Sequence, residues 1–196
     1  MRFFSWLLLL PLAAVADEVV LDNTFVRVTR DGTNCVSNER VCGDRVIVAL
    51  DNVEITGDGD MRGLARGDTA LFHAGGSPVR AKGDYLHVEI KPDHPVSQAP
   101  PEVIAPEKNA FLHDAGDFFV FEEKLAPGDT RARHSHSQRV VIQLNRARLQ
   151  QWPDGEPDKV VETVPDKASF GAPVVHKVKN VGDVPLRGII VEFKPD

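Results

Sequence analysis

HSHSQRVVIQL, residues 134 to 144, sets two histidines one residue apart at the head of a hydrophobic run. In an extended strand successive side chains alternate between faces, so His134 and His136 share one face, which Gln138, Val140, Ile142 and Leu144 would continue. Two imidazoles on one strand face are a candidate metal-ligating element, because neutral histidine suits zinc and the first-row transition metals. The stretch reads as a strand, and the chain around it repeats the pattern. FVRVTR (25 to 30), RVIVAL (45 to 50), VEIT (53 to 56), YLHVEI (85 to 90), FFVFEE (118 to 123) and GIIVEF (188 to 193) alternate or cluster apolar residues over strand lengths. No long stretch carries an apolar stripe at helical spacing. Glycine-aspartate pairs at 57-58, 59-60, 67-68 and 83-84 supply turns, and the fold class is all-β.

The strands repeat at a larger scale. VEIKPD (88 to 93) returns as VEFKPD (191 to 196), and DRVIVAL (44 to 50) resembles QRVVIQL (138 to 144). The chain therefore reads as two copies of one β-unit, residues 17 to 93 and 112 to 196. Prolines 92, 95, 100, 101 and 106 favour an extended linker over 94 to 111.

Residues 1 to 16 stand apart from both units. Arg2, the run LLLLPLAAV and Ala14-Val15-Ala16 read as a signal peptide, so the mature chain begins at Asp17 in a secreted or periplasmic protein, with no membrane span after cleavage. Export sets the reading of Cys35 and Cys42, the only cysteines in the chain: a disulfide is preferred, with free thiols and a Cys42 ligand as the alternatives. The net charge of −6 and the lack of a basic cluster exclude nucleic acid as a partner.

Gly128, five intervening residues, His134-Ser135-His136, and then His176 and Asn180 in GAPVVHKVKN resemble the two signature motifs of the cupin superfamily. The resemblance implies antiparallel jelly-roll barrels, two in one chain, and assigns His134, His136 and His176 as metal ligands. The family's glutamate ligand is missing. Its place falls at Val140, or at Val141 if the loop is one residue longer, and Gly171 and Pro173 stand where proline and glycine are usual. Superposing the copies lays Arg40 and Cys42 on the first two histidines and Pro78 or Val79 on the third, so the amino-terminal unit is a structural partner without a site. His73 and His87 read as packing or surface residues.

Within the superfamily such sites support dioxygenases, isomerases, decarboxylases and hydrolytic or lyase reactions, while other members bind sugars or store protein. The expectation is an exported protein whose three histidines hold Fe, Mn, Ni or Zn. It is either a metal-dependent, dioxygenase-like enzyme acting on a small polar or anionic molecule, or a non-catalytic ligand-binding or structural protein. No independent general base stands out. Gln138, Asn180, Trp152 and Arg133 are candidates for supporting the metal or touching the ligand. Arg131, Arg133, Arg139 and Arg148 read as solvated strand-edge charges, with pairing to an anionic substrate as the other reading. Such a chain is a monomer of two barrels or a homodimer.

Overall fold

The computed structural model describes residues 18 to 32, 43 to 57, 60 to 76, 79 to 104 and 109 to 195. The leader, Cys35, Arg40, Cys42 and Pro78 lie outside the described residues, and with them the expected disulfide. Among the described residues there is no helix, and none is long and apolar enough to cross a membrane. The amino-terminal half holds β1 (Glu18–Asp22), β2 (Val26–Arg30), β3 (Arg45–Ala49), β4 (Val53–Gly57), β5 (Asp60–Leu64), β6 (Thr69–Phe72), β7 (Arg80–Lys82) and β8 (Tyr85–Ile90). The carboxyl-terminal half holds β9 (Asn109–Asp114), β10 (Phe118–Leu125), β11 (Thr130–His136), β12 (Arg139–Gln143), β13 (Arg148–Pro153), β14 (Lys159–Glu162), β15 (Lys167–Gly171), β16 (Val174–Asn180) and β17 (Leu186–Phe193).

The repeated sequence has a repeated topology beneath it. One large sheet runs β1-β2-β8-β3-β6, and the other, read from its far edge, runs β9-β10-β17-β12-β15. The smaller sheets follow the same rule, β5-β4-β7 matching β14-β13-β16 with β11 added beyond. A larger and a smaller antiparallel sheet in each half make the arrangement of a jelly-roll barrel.

Strands β3 and β8 are buried at every position, because both faces of their sheet are covered. On one face Val26, Val28, Val46, Val48, Leu86 and Val88 meet Phe118, Val120, Val140, Ile142, Ile189 and Val191 of the other large sheet in a single shared core. On the opposite face Ile47, Ala49 and Tyr85 join Val53, Ile55 and Val79 inside the amino-terminal barrel, beside the buried Arg45, His87 and Glu89. Val79, one of the two residues laid on His176 by the copy comparison, is thus part of an apolar cluster. The carboxyl-terminal barrel holds only a small apolar cluster of Leu125, Ala147, Leu149, Val178 and Leu186, which leaves the rest of its interior to polar side chains.

Polar bonds also join the halves. Arg66 donates to the carbonyls of Leu50 and Leu144 and to Asp166, 2.5 Å away, and Thr69 Oγ1 shares a 2.8 Å hydrogen bond with His113 Nε2. Gly83 turns the chain at a φ of 131°, and a Cβ there would sit 2.5 Å from the Asn52 carbonyl oxygen, so only glycine fits.

Residues 94 to 104 of the segment between the copies are docked rather than free, and its last residues belong to β9. Gln98 N donates to Gln138 Oε1 at 2.6 Å, Ile104 N donates to Ser135 Oγ at 2.7 Å, and Glu102 pairs with Arg133 at 2.7 Å. Proline nitrogens cannot donate to a ladder, so the segment is tacked along β11 and the start of β12 by scattered side-chain bonds and one backbone bond, Ser135 N to Ile104 O at 3.2 Å.

Candidate metal centre

Strand pairing brings the three histidines together. In the β11–β16 ladder His134 lies directly opposite His176, and His136 opposite Val174. The far end of that ladder is clamped by the other two residues of the sequence motifs. Gly128, at a φ of 81° in the turn before β11, donates its N–H to the Asn180 carbonyl at 2.9 Å, and Asn180 N donates to Asp129 O at 3.0 Å. The buried Asn180 side chain donates to Leu125 O (3.0 Å) and Val184 O (2.8 Å) and accepts from Gly182 N (3.0 Å). Four strand residues from His176, about 13 Å away, Asn180 sets the register of the ladder rather than touching the site.

The donor nitrogens of His134, His136 and His176 lie within 4.8 Å of one another, and the residues are only 1%, 3% and 8% exposed. His134 Nδ1 donates to the Ala132 carbonyl at 2.8 Å, and His136 Nδ1 lies 2.7 Å from Glu192 Oε2. Fixing the proton on Nδ1 leaves an Nε2 lone pair on each ring, and Nε2 of His134 meets Nε2 of His176 at 3.1 Å. Phe121 stacks on the His136 ring with 3° between planes and 6.1 Å between centroids. Burial, aided by neighbouring imidazoles and the Arg131 and Arg139 charges, pushes His134 down to about 4, His136 to about 3 and His176 to about 2, so all three rings are neutral at pH 7.

Glu192 comes from β17, and its other carboxylate oxygen accepts from Ser137 N at 2.8 Å. Burial raises its pKa to about 7. Its only signal in the sequence is the shared VE-KPD of the two copies, which marks a repeat and says nothing of contact with His136. A cavity of about 220 Å³ opens beside His136 and His176, walled by Glu123, Arg139, Val141, Gln143, Gln151 and Ser169 among others. Glu123, whose pKa burial raises, accepts from Arg131 at 2.7 Å. Two larger grooves, about 480 and 450 Å³, occupy matching places on the two halves, but neither contains a histidine.

Of the four arginines read as solvated, one is buried and one half-buried. A bulge between Arg131 and His134 turns Arg131 inward, to 2% exposure. Arg139 lies on the cavity wall, while Arg133 and Arg148 are exposed. Arg133 is held outside by Asp154 and Glu102. Trp152 faces outward with Lys177 Nζ 5.1 Å from its ring centroid, and Gln138 spends its amide oxygen on Ser97 and Gln98. None of these three reaches the histidines.

The place of the missing glutamate also changes. Strand β11 ends at His136 and β12 starts at Arg139, so the alternation does not run through Ser137 and Gln138. Val140 consequently packs in the core between the sheets, fully buried, and Val141 is the residue that lines the cavity.

Three converging neutral nitrogens, two of them with their outer nitrogens fixed, fit a divalent cation with the cavity side left open. No family model and no curated protein matches the chain. Among solved structures it is similar to a cupin 2 conserved barrel domain protein from Leptotrichia buccalis, with a TM-score of 0.58 and 15% identity over 93% of this chain and 90% of that one. It is similar to the oxalate decarboxylase of Lactobacillus farciminis in its formate complex, at 0.58 and 13% identity over 87% and 77% of the two chains. The oxalate decarboxylase of Bacillus subtilis, described for its Mn(II) centers, matches at 0.55 and 11% identity over 92% and 75%. The chain has the cupin fold.

Proposed function

We propose that His134, His136 and His176 hold one divalent transition metal, Fe, Mn, Ni or Zn, and that the chain is an exported, metal-dependent enzyme of the dioxygenase-like kind acting on a small polar or anionic molecule. The observation that carries this reading is the convergence of three buried, neutral imidazole nitrogens beside a polar cavity. The fold it shares with a decarboxylase known for Mn(II) centers supports it. A bound metal would supply Lewis acidity or a route for electrons. The chain's own groups orient the ligands: Ala132 O and Glu192 fix the outer nitrogens of His134 and His136, and Phe121 backs the His136 ring.

The cavity wall favours chemistry that needs no carboxylate base, since Glu123 is engaged by Arg131 and Glu192 by His136 and Ser137. The same observation favours a second reading, a non-catalytic receptor for a small ligand. Elemental analysis of the purified protein beside a folded His176→Ala variant tests the metal: about one ion per chain is expected in the first and none in the second, and equal content in both overturns the site. Turnover by metal-loaded protein on candidate small acids then separates enzyme from receptor. Export is tested by intact mass, with Asp17 first and Cys35 bridged to Cys42, and assembly as monomer or homodimer by light scattering.

A further inference from the structure

We propose that the carboxyl-terminal barrel is a receptor for a small carboxylate, gripped by the Arg139 guanidinium in the cavity onto which His136 and His176 open. The inference deepens the reading above and rests on it only for the metal as a second anchor. Arg139 is set in place by the backbone: its Nη1 donates to Ser137 O at 3.1 Å and to Ala172 O at 2.8 Å. Gly171 lies opposite it in the β12–β15 ladder, and a Cβ there would come within 3.1 Å of the Arg139 Cζ, so the missing side chain is the space the guanidinium occupies. No carboxylate oxygen among the described residues lies within 4.0 Å of that guanidinium.

The nearby carboxylates are engaged elsewhere, Glu192 with His136 and Ser137 and Glu123 with Arg131. A guanidinium keeps its proton at any ordinary pH, and the half-buried Arg139 feels Glu192 and Glu123 only at longer range, which leaves its cavity side open to an anion. Gln143 adds a second demand, since its Oε1 is buried in the cavity wall with no hydrogen-bond partner. With Gln151 and Ser169 it makes the wall unsuitable for an apolar ligand. The cavity's 220 Å³ is room for about seven waters at roughly 30 Å³ each, so the ligand has only a handful of heavy atoms. A carboxylate meets the terms of size and charge, because its two oxygens match the planar guanidinium fork, while the Gln143 oxygen calls for a donor such as a water or a ligand hydroxyl.

Isothermal titration of metal-free and Zn(II)-loaded protein tests the site, with formate, acetate and oxalate set against formamide, acetamide and oxamide. The anions are expected to saturate one site per chain, and the neutral isosteres to show no saturation. Arg139→Met should lower anion affinity by about tenfold or more with zinc content unchanged. Gly171→Ala, which keeps the charge but crowds the guanidinium, should weaken binding too and serves if Arg139→Met does not fold. Acetamide binding as well as acetate, or anion affinity unchanged in these variants, overturns the proposal. The two readings fail separately: Arg139-dependent anion binding without metal uptake removes the metal and leaves the carboxylate site, and zinc uptake without anion binding does the reverse.

Discussion

His134 Nε2 and His176 Nε2 face each other at 3.1 Å across the β11–β16 ladder, both rings buried. Because His134 gives its Nδ1 proton to Ala132 O, its Nε2 presents a lone pair, to which a neutral His176 can donate from Nε2. A cation bound by both nitrogens replaces that one hydrogen bond with two metal–ligand bonds, so metal should stabilise the fold. Calorimetry with zinc at about 100 times its Kd should show a gain near 2.7 kcal/mol, reversed by a chelator and absent in His134→Ala. An unchanged melting temperature in the wild type would count against the site.

Glu192 holds the outer nitrogen of His136 at 2.7 Å. Losing such a partner typically lowers metal affinity about 10- to 100-fold. Glu192→Gln should therefore bind zinc more weakly in a competition assay, while its metal-free melting temperature moves little because the amide oxygen can still accept from Ser137 N. Wild-type affinity in this variant would show that the carboxylate has no part in orienting His136.

Val140 and Val141 differ in what surrounds them, the shared core for one and the cavity for the other. Val140→Glu should lower stability by about 3 to 5 kcal/mol, the order of an unpaired buried charge, seen as a reduced urea midpoint. Val141→Glu should fold and bind metal more tightly, the carboxylate standing in the cavity beside His136 and His176. Tighter metal binding in Val140→Glu alone would reverse the two assignments.

The three histidines set a pH dependence. Their folded pKa values, about 4, 3 and 2, lie below the roughly 6.5 of an unfolded histidine. Between about pH 6.5 and 4 the unfolded chain binds protons that the folded one refuses, so this contribution makes stability fall as pH falls, and it is flat above 6.5. Metal-free protein should melt at lower temperature at pH 5 than at pH 7. Replacing all three histidines by alanine should flatten that slope, and an equal slope in both proteins would show that the rings are not held neutral.

What the sequence determined by itself is local: alternation named seven strands that are all present, the VE-KPD repeat pointed to two units with one strand order, and the resemblance to the cupin motifs picked out His134, His136 and His176. Alternation is a property of one unbroken strand, so it placed both β11 histidines on one face correctly and then failed across Ser137 and Gln138, where Val140 turns to the core. It failed again at the bulge that carries Arg131 inside. Asn180 was legible as part of a motif, but its partners Leu125 and Val184 come from the end of β10 and the turn after β16, and its role as a clamp follows from them. Only the tertiary structure decided that Arg139 lines the cavity, that Glu192 meets His136 from β17, and that one barrel packs Ile47, Val79 and Tyr85 inside while the other keeps a polar cavity beside its histidines. The reason is physical: burial and partnership depend on which strands lie side by side, and β12 and β17, far apart in the chain, are neighbours in the sheet.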